Sequence, residues 1–188
     1  HAGNINAEFR DPIPLLRAIA QAGSRGQLDP SRILLRFIGG GAYGDSEALR
    51  EAVRATGLSK SVEVLARLPY AEALAELSKA DLLLLLQASE DTQSLVPAKL
   101  YEYLRAMRPV LALVLPGATS EVLATTGGGW LANPRDADEL ETTLVEIYGR
   151  WADGTLRDHH ANMDVLRRFD RRNLTRELAA IFDTAVRA

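Results

Sequence analysis

The sequence predicts an α/β fold in which an open parallel sheet of about six strands is covered by helices on both faces. Short apolar runs alternate with segments of helical periodicity along most of the 188 residues, a pattern typical of repeated strand–helix units. The run Leu82–Leu86 contains only leucine, which indicates a strand buried on both faces. These observations predict one Rossmann-like domain whose ligand site lies at the carboxyl ends of the strands.

The individual elements follow from the apolar runs and the residues that punctuate them. A first strand is expected to end at His1–Gly3. Further strands are expected at Ile33–Ile38, Val62–Ala66, Leu82–Leu86, Val110–Leu115 and Trp130–Ala132. Helices are expected where apolar residues recur every three or four positions behind proline or aspartate. One helix is expected to begin at Pro12, with Asp11 as its cap, and another follows Pro69. The other helices are expected at Asp45–Thr56, Pro97–Met107, Thr119–Thr125, Asp136–Trp151, Asp158–Arg168 and Asn173–Val186.

The most informative element is the helix predicted to start at Pro97. Proline is favoured at the first helical position, and Val96 before it has no side-chain group that could cap the helix. Free backbone N–H groups after a buried parallel strand suit an anion such as phosphate. Lys99 and Glu102 share one helix face, so one could meet a phosphate and the other a pair of sugar hydroxyls. An ordinary surface Lys–Glu pair explains the spacing equally well, and both interpretations stay open.

Composition and charge exclude several classes of function. The formal net charge of −3 gives nucleic-acid binding no electrostatic support. The absence of cysteine excludes disulfides, thiolate zinc sites and cysteine nucleophiles. No apolar run approaches the ~20 residues that span a bilayer. We therefore expect a cytoplasmic protein, with peripheral association at the inner face of the membrane left open. Because the chain begins at His1 within an apparent strand end, we expect a fragment that lacks its upstream part.

Other polar features favour simple structural interpretations. His159 and His160 are adjacent and therefore point to different faces, which makes them a poor metal pair. The arginines within Arg167–Arg172 could meet an anionic membrane surface, but a solvated turn between helices explains them more simply.

The segment PAKLYEYL, residues 97–104, followed by RPVLAL, resembles the P-x-K-x-x-E-Y-L … P-V-L signature in the donor-binding half of GT-B glycosyltransferases of the family 4 type. The stretches HAGN with Arg10, RFIGGG, VLARLPYAEALAELSKADLLLLL and FDRRNLTRELAAIFD also resemble parts of that family. The resemblance covers nearly the whole chain but only the carboxyl-terminal half of such an enzyme. It implies that residues 1–188 form the donor-binding domain, that residues 155–188 are closing helices, and that the acceptor-binding lobe is absent.

The resemblance implies the function of such a half-enzyme. A retaining glycosyltransferase transfers a sugar from a nucleoside diphosphate-sugar, here of the UDP or GDP type, to a glycan or a lipid-linked acceptor, as in polysaccharide biosynthesis. No bound metal is expected. The partner of this chain would be its own missing amino-terminal lobe, which binds the acceptor. Alone, the chain should bind donor and transfer little or nothing.

The resemblance also implies roles for the residues around the Pro97 helix. Glu102 would accept hydrogen bonds from the ribose hydroxyls, since a carboxylate has two acceptor oxygens for a vicinal diol. Lys99 and Arg10 would neutralise the diphosphate, and the Ala98 and Lys99 N–H groups behind Pro97 would cap it. That neutralisation would serve catalysis, because negative charge develops on the diphosphate as the glycosidic bond breaks.

Further contacts are implied in the other loops at the same edge of the sheet. Arg67 and Leu68 match the stretch that contacts the base, mainly through the backbone. Glycine lets a chain turn close to a ligand, and the glycines assigned to the ligand loops are Gly3, Gly39 and Gly41.

One position departs from the family pattern. Many members carry a glutamate directed at the donor sugar eight positions before the ribose-binding one, where this chain has Ser94. Glu90 and Asp91 lie nearby at a different spacing, so the identity of the sugar stays open. The departure supports an alternative, a non-catalytic module that binds a nucleotide or sugar phosphate. A third and weaker hypothesis is an interaction domain that binds no ligand. A sugar-phosphate epimerase is a further alternative, but it would need catalytic carboxylates and histidines that cannot be placed in this sequence.

Overall fold

The computed structural model describes residues 1–187, in which five strands and nine α-helices form. The strands are β1 (Leu35–Ile38), β2 (Val62–Leu65), β3 (Leu83–Gln87), β4 (Val110–Val114) and β5 (Gly129–Ala132). The helices are α1 (Ile13–Ser24), α2 (Gly41–Gly44), α3 (Glu47–Ala55), α4 (Tyr70–Lys79), α5 (Ala98–Arg105), α6 (Ala118–Thr126), α7 (Ala137–Ala152), α8 (Met163–Leu166) and α9 (Arg171–Arg187). The α/β class is confirmed.

The strands form two parallel groups rather than one six-stranded sheet. β1 pairs with β2, and β4 lies between β3 and β5, all in parallel. Residues 1–3 lie between the groups, because the His1 carbonyl accepts from the Ile38 N–H and the His1 Nδ1 lies 2.9 Å from the Leu84 carbonyl. Ala2 forms only an isolated bridge with Ile38, so the prediction of about six strands is wrong by this one.

Helices cover both faces of the strands, as predicted. Leu84 and Leu86 of β3 pack with buried residues of α1, α3 and α7. Leu83 and Leu85, which point the other way, pack with α4, α5, α6 and α8. The all-leucine strand is buried on both sides because alternate residues of a strand face opposite layers.

Several predicted helix boundaries are wrong. Pro12 is the cap residue of α1, which begins at Ile13 and not at Pro12. Pro97 is the cap residue of α5, with an extended backbone, so the helix begins at Ala98. The predicted helix over residues 158–168 is broken into short 3₁₀ turns, Leu156–Asp158 and Arg167–Phe169, on either side of α8. Asn162 causes the break: its side chain accepts from the N–H groups of Asp164 and Val165 and so starts a new helix.

The last helix, α9, exposes an apolar face. Its positions repeat at helical spacing, and the exposed large side chains on it are Leu174, Leu178, Ile181, Phe182 and Val186. Within residues 1–187, none of the helices is both long and apolar enough to cross a membrane.

The amino-terminal segment is held by two side chains of α5. The Ala2 N–H donates to the Tyr103 hydroxyl at 2.9 Å, and the Lys99 Nζ donates to the Ala2 carbonyl at 2.7 Å. Tyr103 is fully buried, and burial raises the pKa of its hydroxyl to about 12. These two bonds take both backbone groups of Ala2 and attach α5 to the segment between the strand groups.

We expect Tyr103→Phe to lower the free energy of unfolding by about 1 kcal/mol, because the substitution leaves the Ala2 N–H without its acceptor. Urea denaturation followed by circular dichroism measures the loss. Tyr101→Phe is the matched control, since among the described residues the Tyr101 hydroxyl donates no hydrogen bond and its ring lies against Phe169. Equal stability of Tyr103→Phe and Tyr101→Phe would contradict the prediction.

Candidate functional site

Loops from three parts of the chain meet at the carboxyl edge of the strands, beside the start of α5. Gly3 is bonded to the Ile38 carbonyl at the end of β1, and Gly39 follows directly. An added Cβ on Gly39 would lie 3.6 Å from the Cα of Arg67 after β2, and one on Gly3 would lie 2.7 Å from the Lys99 Nζ. The edge therefore brings together residues that are far apart in the sequence, as the fold predicts.

The start of α5 offers backbone donors to this edge. Its cap residue, Pro97, makes no side-chain capping bond. The Leu100 N–H donates to the Pro97 carbonyl at 2.9 Å, whereas the Ala98 and Lys99 N–H groups have no acceptor in residues 1–187. Two free N–H groups at a helix amino terminus, together with the helix dipole, favour an anion.

Lys99 places a partly buried ammonium group beside that helix start. Burial, followed by repulsion from Arg10, lowers the pKa of Lys99 to about 8, and attraction to Glu102 opposes the shift. Gly3 makes room for the ammonium group, since any side chain there would collide with it. Gly3 also has a backbone φ of +112°, which residues with a Cβ rarely adopt. An anion close to Lys99 and Arg10 would relieve their mutual repulsion.

The cations at the edge have no carboxylate partners. None of the ion pairs found in residues 1–187 includes Arg10, Arg67 or Lys99. Arg36 on β1, by contrast, pairs with Glu63 at 2.9 Å. The edge therefore carries positive charge that the protein itself does not neutralise.

The loop that carries Arg10 is fixed by a compact turn. The Asn6 Oδ1 accepts from the Phe9 N–H at 2.7 Å and from the Arg10 N–H at 3.1 Å. The Phe9 carbonyl in turn accepts from the Ala88 N–H at 3.0 Å, just after β3. Asn6 was not recognised from the sequence, where its only signal is its place before a charged loop residue.

The two glycines after β1 adopt conformations that suit close packing. Gly39 has φ of +73° and Gly41 has φ of +68°. A Cβ on Gly41 would lie 3.2 Å from the Asn4 Oδ1, so the loop after β1 lies against the amino-terminal loop. Gly41 also begins the four-residue helix α2, which the sequence analysis did not predict.

Glu102 lies one turn into α5, and its carboxylate contacts a residue that the sequence analysis missed. The Tyr70 hydroxyl donates to the Glu102 Oε1 at 3.1 Å. Tyr70 is the first residue of α4 and lies three residues after Arg67. The hydrogen bond to Glu102 raises the pKa of the Tyr70 hydroxyl. The sequence signal for Tyr70 was weak: an aromatic residue behind Pro69 at a helix start.

Two predicted site residues lie apart from this contact network. Leu68 is half-buried between β2 and α4. Ser94 is exposed in a loop whose neighbours are held at α6, where the Gln93 carbonyl accepts from the Ala118 N–H at 2.7 Å and the Leu95 carbonyl accepts from the Thr119 hydroxyl at 2.8 Å. No hydrogen bond joins Ser94 to Lys99 or Glu102 within the described residues.

A large cavity lies elsewhere. It measures about 380 Å³ and is lined mainly by apolar side chains, among them Leu35 at the start of β1, Leu83 at the start of β3, and Trp151 at the end of α7. Because it adjoins the amino ends of the strands, it does not coincide with the edge where ligands bind in open α/β sheets. Trp151 packs against the core there.

Comparison with protein families gives one match. The sequence model of the family described as glycosyl transferases group 1 matches residues 2–150. No curated protein sequence matches the chain significantly.

Solved structures show the same fold at low sequence identity. HepE from Anabaena, in complex with UDP, superposes with a TM-score of 0.74 at 17% identity over 97% of this chain and 48% of its own. The lipopolysaccharide outer core galactosyltransferase WaaB, in its apo form, gives 0.63 at 19% identity over 97% and 48%. The C-terminal domain of LpcC, a glycosyl transferase group 1 family protein from Francisella tularensis, gives 0.57 at 18% identity over 85% and 79%. The chain thus spans about half the length of HepE and WaaB.

We expect the ammonium group of Lys99 to titrate near pH 8 in the folded protein. The chain has three lysines, so ¹³C-methylation of the amines gives a simple NMR spectrum, and Lys99→Arg identifies the signal by removing it. Because the unfolded state keeps this proton up to pH ~10.4, the contribution of Lys99 to the free energy of unfolding rises between pH 8 and 10. A Lys99 signal that titrates at ~10.4 would show that the group is not desolvated.

Proposed function

Since the chain belongs to the group 1 glycosyl transferase family, we propose that it is the donor-binding half of a glycosyltransferase and takes a nucleoside diphosphate-sugar at the carboxyl edge of its strands. The observation that carries the proposal is the uncapped start of α5, with Lys99 and Arg10 beside it and Glu102 one turn further. The free N–H groups and the cations suit a diphosphate, and the carboxylate suits a sugar diol.

The diphosphate lies at the start of α5 in this proposal. The Ala98 and Lys99 N–H groups donate to its oxygens, and the side chains of Lys99 and Arg10 balance its charge. The Lys99 ammonium has three donor hydrogens and uses one on the Ala2 carbonyl. Two donor hydrogens of the ammonium group remain for the ligand, while the bond to Ala2 holds the lysine side chain in place. Because these groups carry the charge balance, donor binding does not require a metal ion.

The nucleoside lies towards β1 and β2. Glu102 accepts hydrogen bonds from the ribose hydroxyls, and the base lies against the backbone of Arg67 and Leu68. The positive φ of Gly39 brings that backbone close to the end of β1. HepE was crystallised with UDP and with UDP-glucose, which supports a uridine nucleotide as the first candidate here.

The reaction is transfer of the sugar to a hydroxyl group with retention of configuration. The bond between the sugar C1 and the diphosphate oxygen breaks, and the diphosphate leaves with the electron pair. The acceptor oxygen bonds to C1 and gives up its proton to the departing diphosphate. Lys99, Arg10 and the α5 N–H groups stabilise the negative charge on the departing diphosphate, where such preorganised donors have their largest effect on rate.

A second polypeptide region completes the enzyme. The chain spans 48% of HepE and of WaaB, and α9 presents apolar side chains that nothing in residues 1–187 covers. We assign this face to contact with an amino-terminal lobe, which binds a glycan or lipid-linked acceptor. The division of the chain at residue 155, with closing helices behind it, is part of the same proposal.

A non-catalytic nucleotide-binding module is the second candidate. Ser94 stands where many members have a glutamate, and the nearby Glu90 is paired with Arg135 at 2.8 Å. Glu90 is therefore already engaged, and Asp91, the other carboxylate of that loop, lies at a different spacing from Glu102 than the family's glutamate. Transfer by the chain joined to its native upstream lobe distinguishes the two candidates, because the binding module would take up nucleotide without turnover.

We expect calorimetry to detect saturable binding of one of UDP, GDP and ADP to this chain in the presence of EDTA, and equal affinity with magnesium. Lys99→Met should weaken binding by tenfold or more, since it removes a charge-assisted contact of about 1.5–3 kcal/mol. Affinity should also fall as the pH rises through about 8, where Lys99 loses its charge.

Lys79→Met is the matched control, because Lys79 pairs with Glu76 on α4 away from α5. Lys99→Arg should bind with little change between pH 7 and 9, since the guanidinium stays charged. If none of the three nucleotides binds, or if Lys99→Met binds as well as the parent chain, the diphosphate assignment is wrong.

The apolar face of α9 leads to a separate prediction. We expect the double variant Leu178→Ser, Phe182→Ser to lose co-purification with the upstream half expressed as a separate chain, because both exposed apolar side chains lie on the face assigned to that contact. The control is Arg176→Ser, Asp183→Ser on the opposite face of the helix. Nucleotide affinity of both double variants should match the parent, and loss of co-purification in the control alone would contradict the assignment.

A further inference from the structure

We propose that Tyr70 is the positioning residue for Glu102 and thereby sets how strongly the site selects a ribose with both hydroxyls. The inference rests on the proposed function, because it assigns a role towards the same nucleoside. It adds to it a residue from another helix, which the signature in α5 does not contain.

The contact joins two helix starts at the edge of the strands. Tyr70 begins α4, directly after the loop that carries Arg67, and Glu102 lies in the second turn of α5. The Tyr70 hydroxyl donates to Oε1 of Glu102 across 3.1 Å. The Tyr70 side chain is otherwise open to solvent, with 66% of its surface exposed. Its polar end therefore lies at the surface beside Glu102 and not in a core.

Glu102 has no other partner in the part of the chain that the structure describes. Its carboxylate forms no ion pair, although Lys99 lies three residues earlier. A glutamate on a helix surface samples several rotamers, and holding one of them for a ligand costs conformational entropy. The bond from Tyr70 fixes the rotamer before the ligand arrives, which improves affinity by preorganisation.

The bond leaves enough acceptor capacity for a diol. An ionised carboxylate has about four lone-pair positions, and Tyr70 occupies one on Oε1. The remaining positions can accept both ribose hydroxyls. A fixed carboxylate binds most strongly a ligand that presents both hydroxyls together. A mobile carboxylate can instead reorient to bind a single hydroxyl. Tyr70 should therefore affect the ribose preference more than the affinity for the diphosphate.

The test compares Tyr70→Phe with the parent chain by calorimetry, using UDP and 2′,3′-dideoxyuridine diphosphate. We expect UDP to bind about three- to tenfold more weakly to the variant, the range for one hydrogen bond to a partly exposed charge. The affinity of the dideoxy nucleotide for the variant should lie within twofold of its affinity for the parent. With Glu102→Ala as background, Tyr70→Phe should have no further effect on UDP, because the carboxylate that Tyr70 holds is gone.

Tyr101→Phe is the matched control, as its ring packs on Phe169 away from the edge, and both variants should unfold at the same urea concentration as the parent. If the parent binds UDP and Glu102→Ala weakens that binding, but Tyr70→Phe matches the parent, this inference alone is overturned. Equal loss of both nucleotides in Tyr70→Phe also overturns it, since Tyr70 would then contact the nucleotide elsewhere. If the parent binds GDP or ADP instead of UDP, the same comparison is made with that nucleotide and its 2′,3′-dideoxy analogue, and binding of none of the three defeats the proposed function and this inference with it.

Discussion

The attachment of α5 to the first three residues is the contact on which the candidate site depends. Lys99 and Tyr103 are four residues apart on one face of the helix, and together they take the carbonyl and the N–H of Ala2. Because residues 1–3 are bonded to β1, these two side chains fix the start of α5 against the carboxyl edge of the strands. Without them, the helix would be held mainly by its buried leucines, Leu100 and Leu104, and its start would lose the attachment to residues 1–3.

The same contact explains the electrostatics of the edge. Holding the Lys99 ammonium at the Ala2 carbonyl removes it from water and leaves it near Arg10, and both effects lower its pKa. In the unliganded site, the charges of Lys99 and Arg10 therefore repel each other. The folded state remains stable despite this repulsion because the burial is only partial. An anion bound between the cations would favour the protonated lysine again, so that binding and proton uptake are coupled. Groups with perturbed pKa values gather at functional sites for this reason.

Local patterns in the sequence were enough for the fold class and for much of the edge. Alternating apolar runs gave the parallel strands, and glycines after His1–Ala2 and β1 marked the positive φ values found at Gly3 and Gly39. The boundary at Pro97 could not be placed to one residue, because proline suits both the cap and the first helical position. The missing strand at residues 1–3 and the contact between Tyr70 and Glu102 depend on partners 32 or more residues away, which periodicity does not report.

The spacing within α5 follows from these contacts. Each residue turns the helix by about 100°, so Tyr103 lies about 40° from Lys99, and Glu102 lies about 60° from it on the other side. The angle of about 40° lets both Lys99 and Tyr103 form hydrogen bonds with Ala2. The angle of about 60° directs Glu102 away from Ala2 and towards Tyr70. An insertion of one residue between Lys99 and Glu102 would rotate the carboxylate out of reach of Tyr70 and separate Tyr103 from Ala2. A helix of eight residues can therefore hold a cation, two N–H donors and a carboxylate in one arrangement only if the lysine, glutamate and tyrosine keep this spacing.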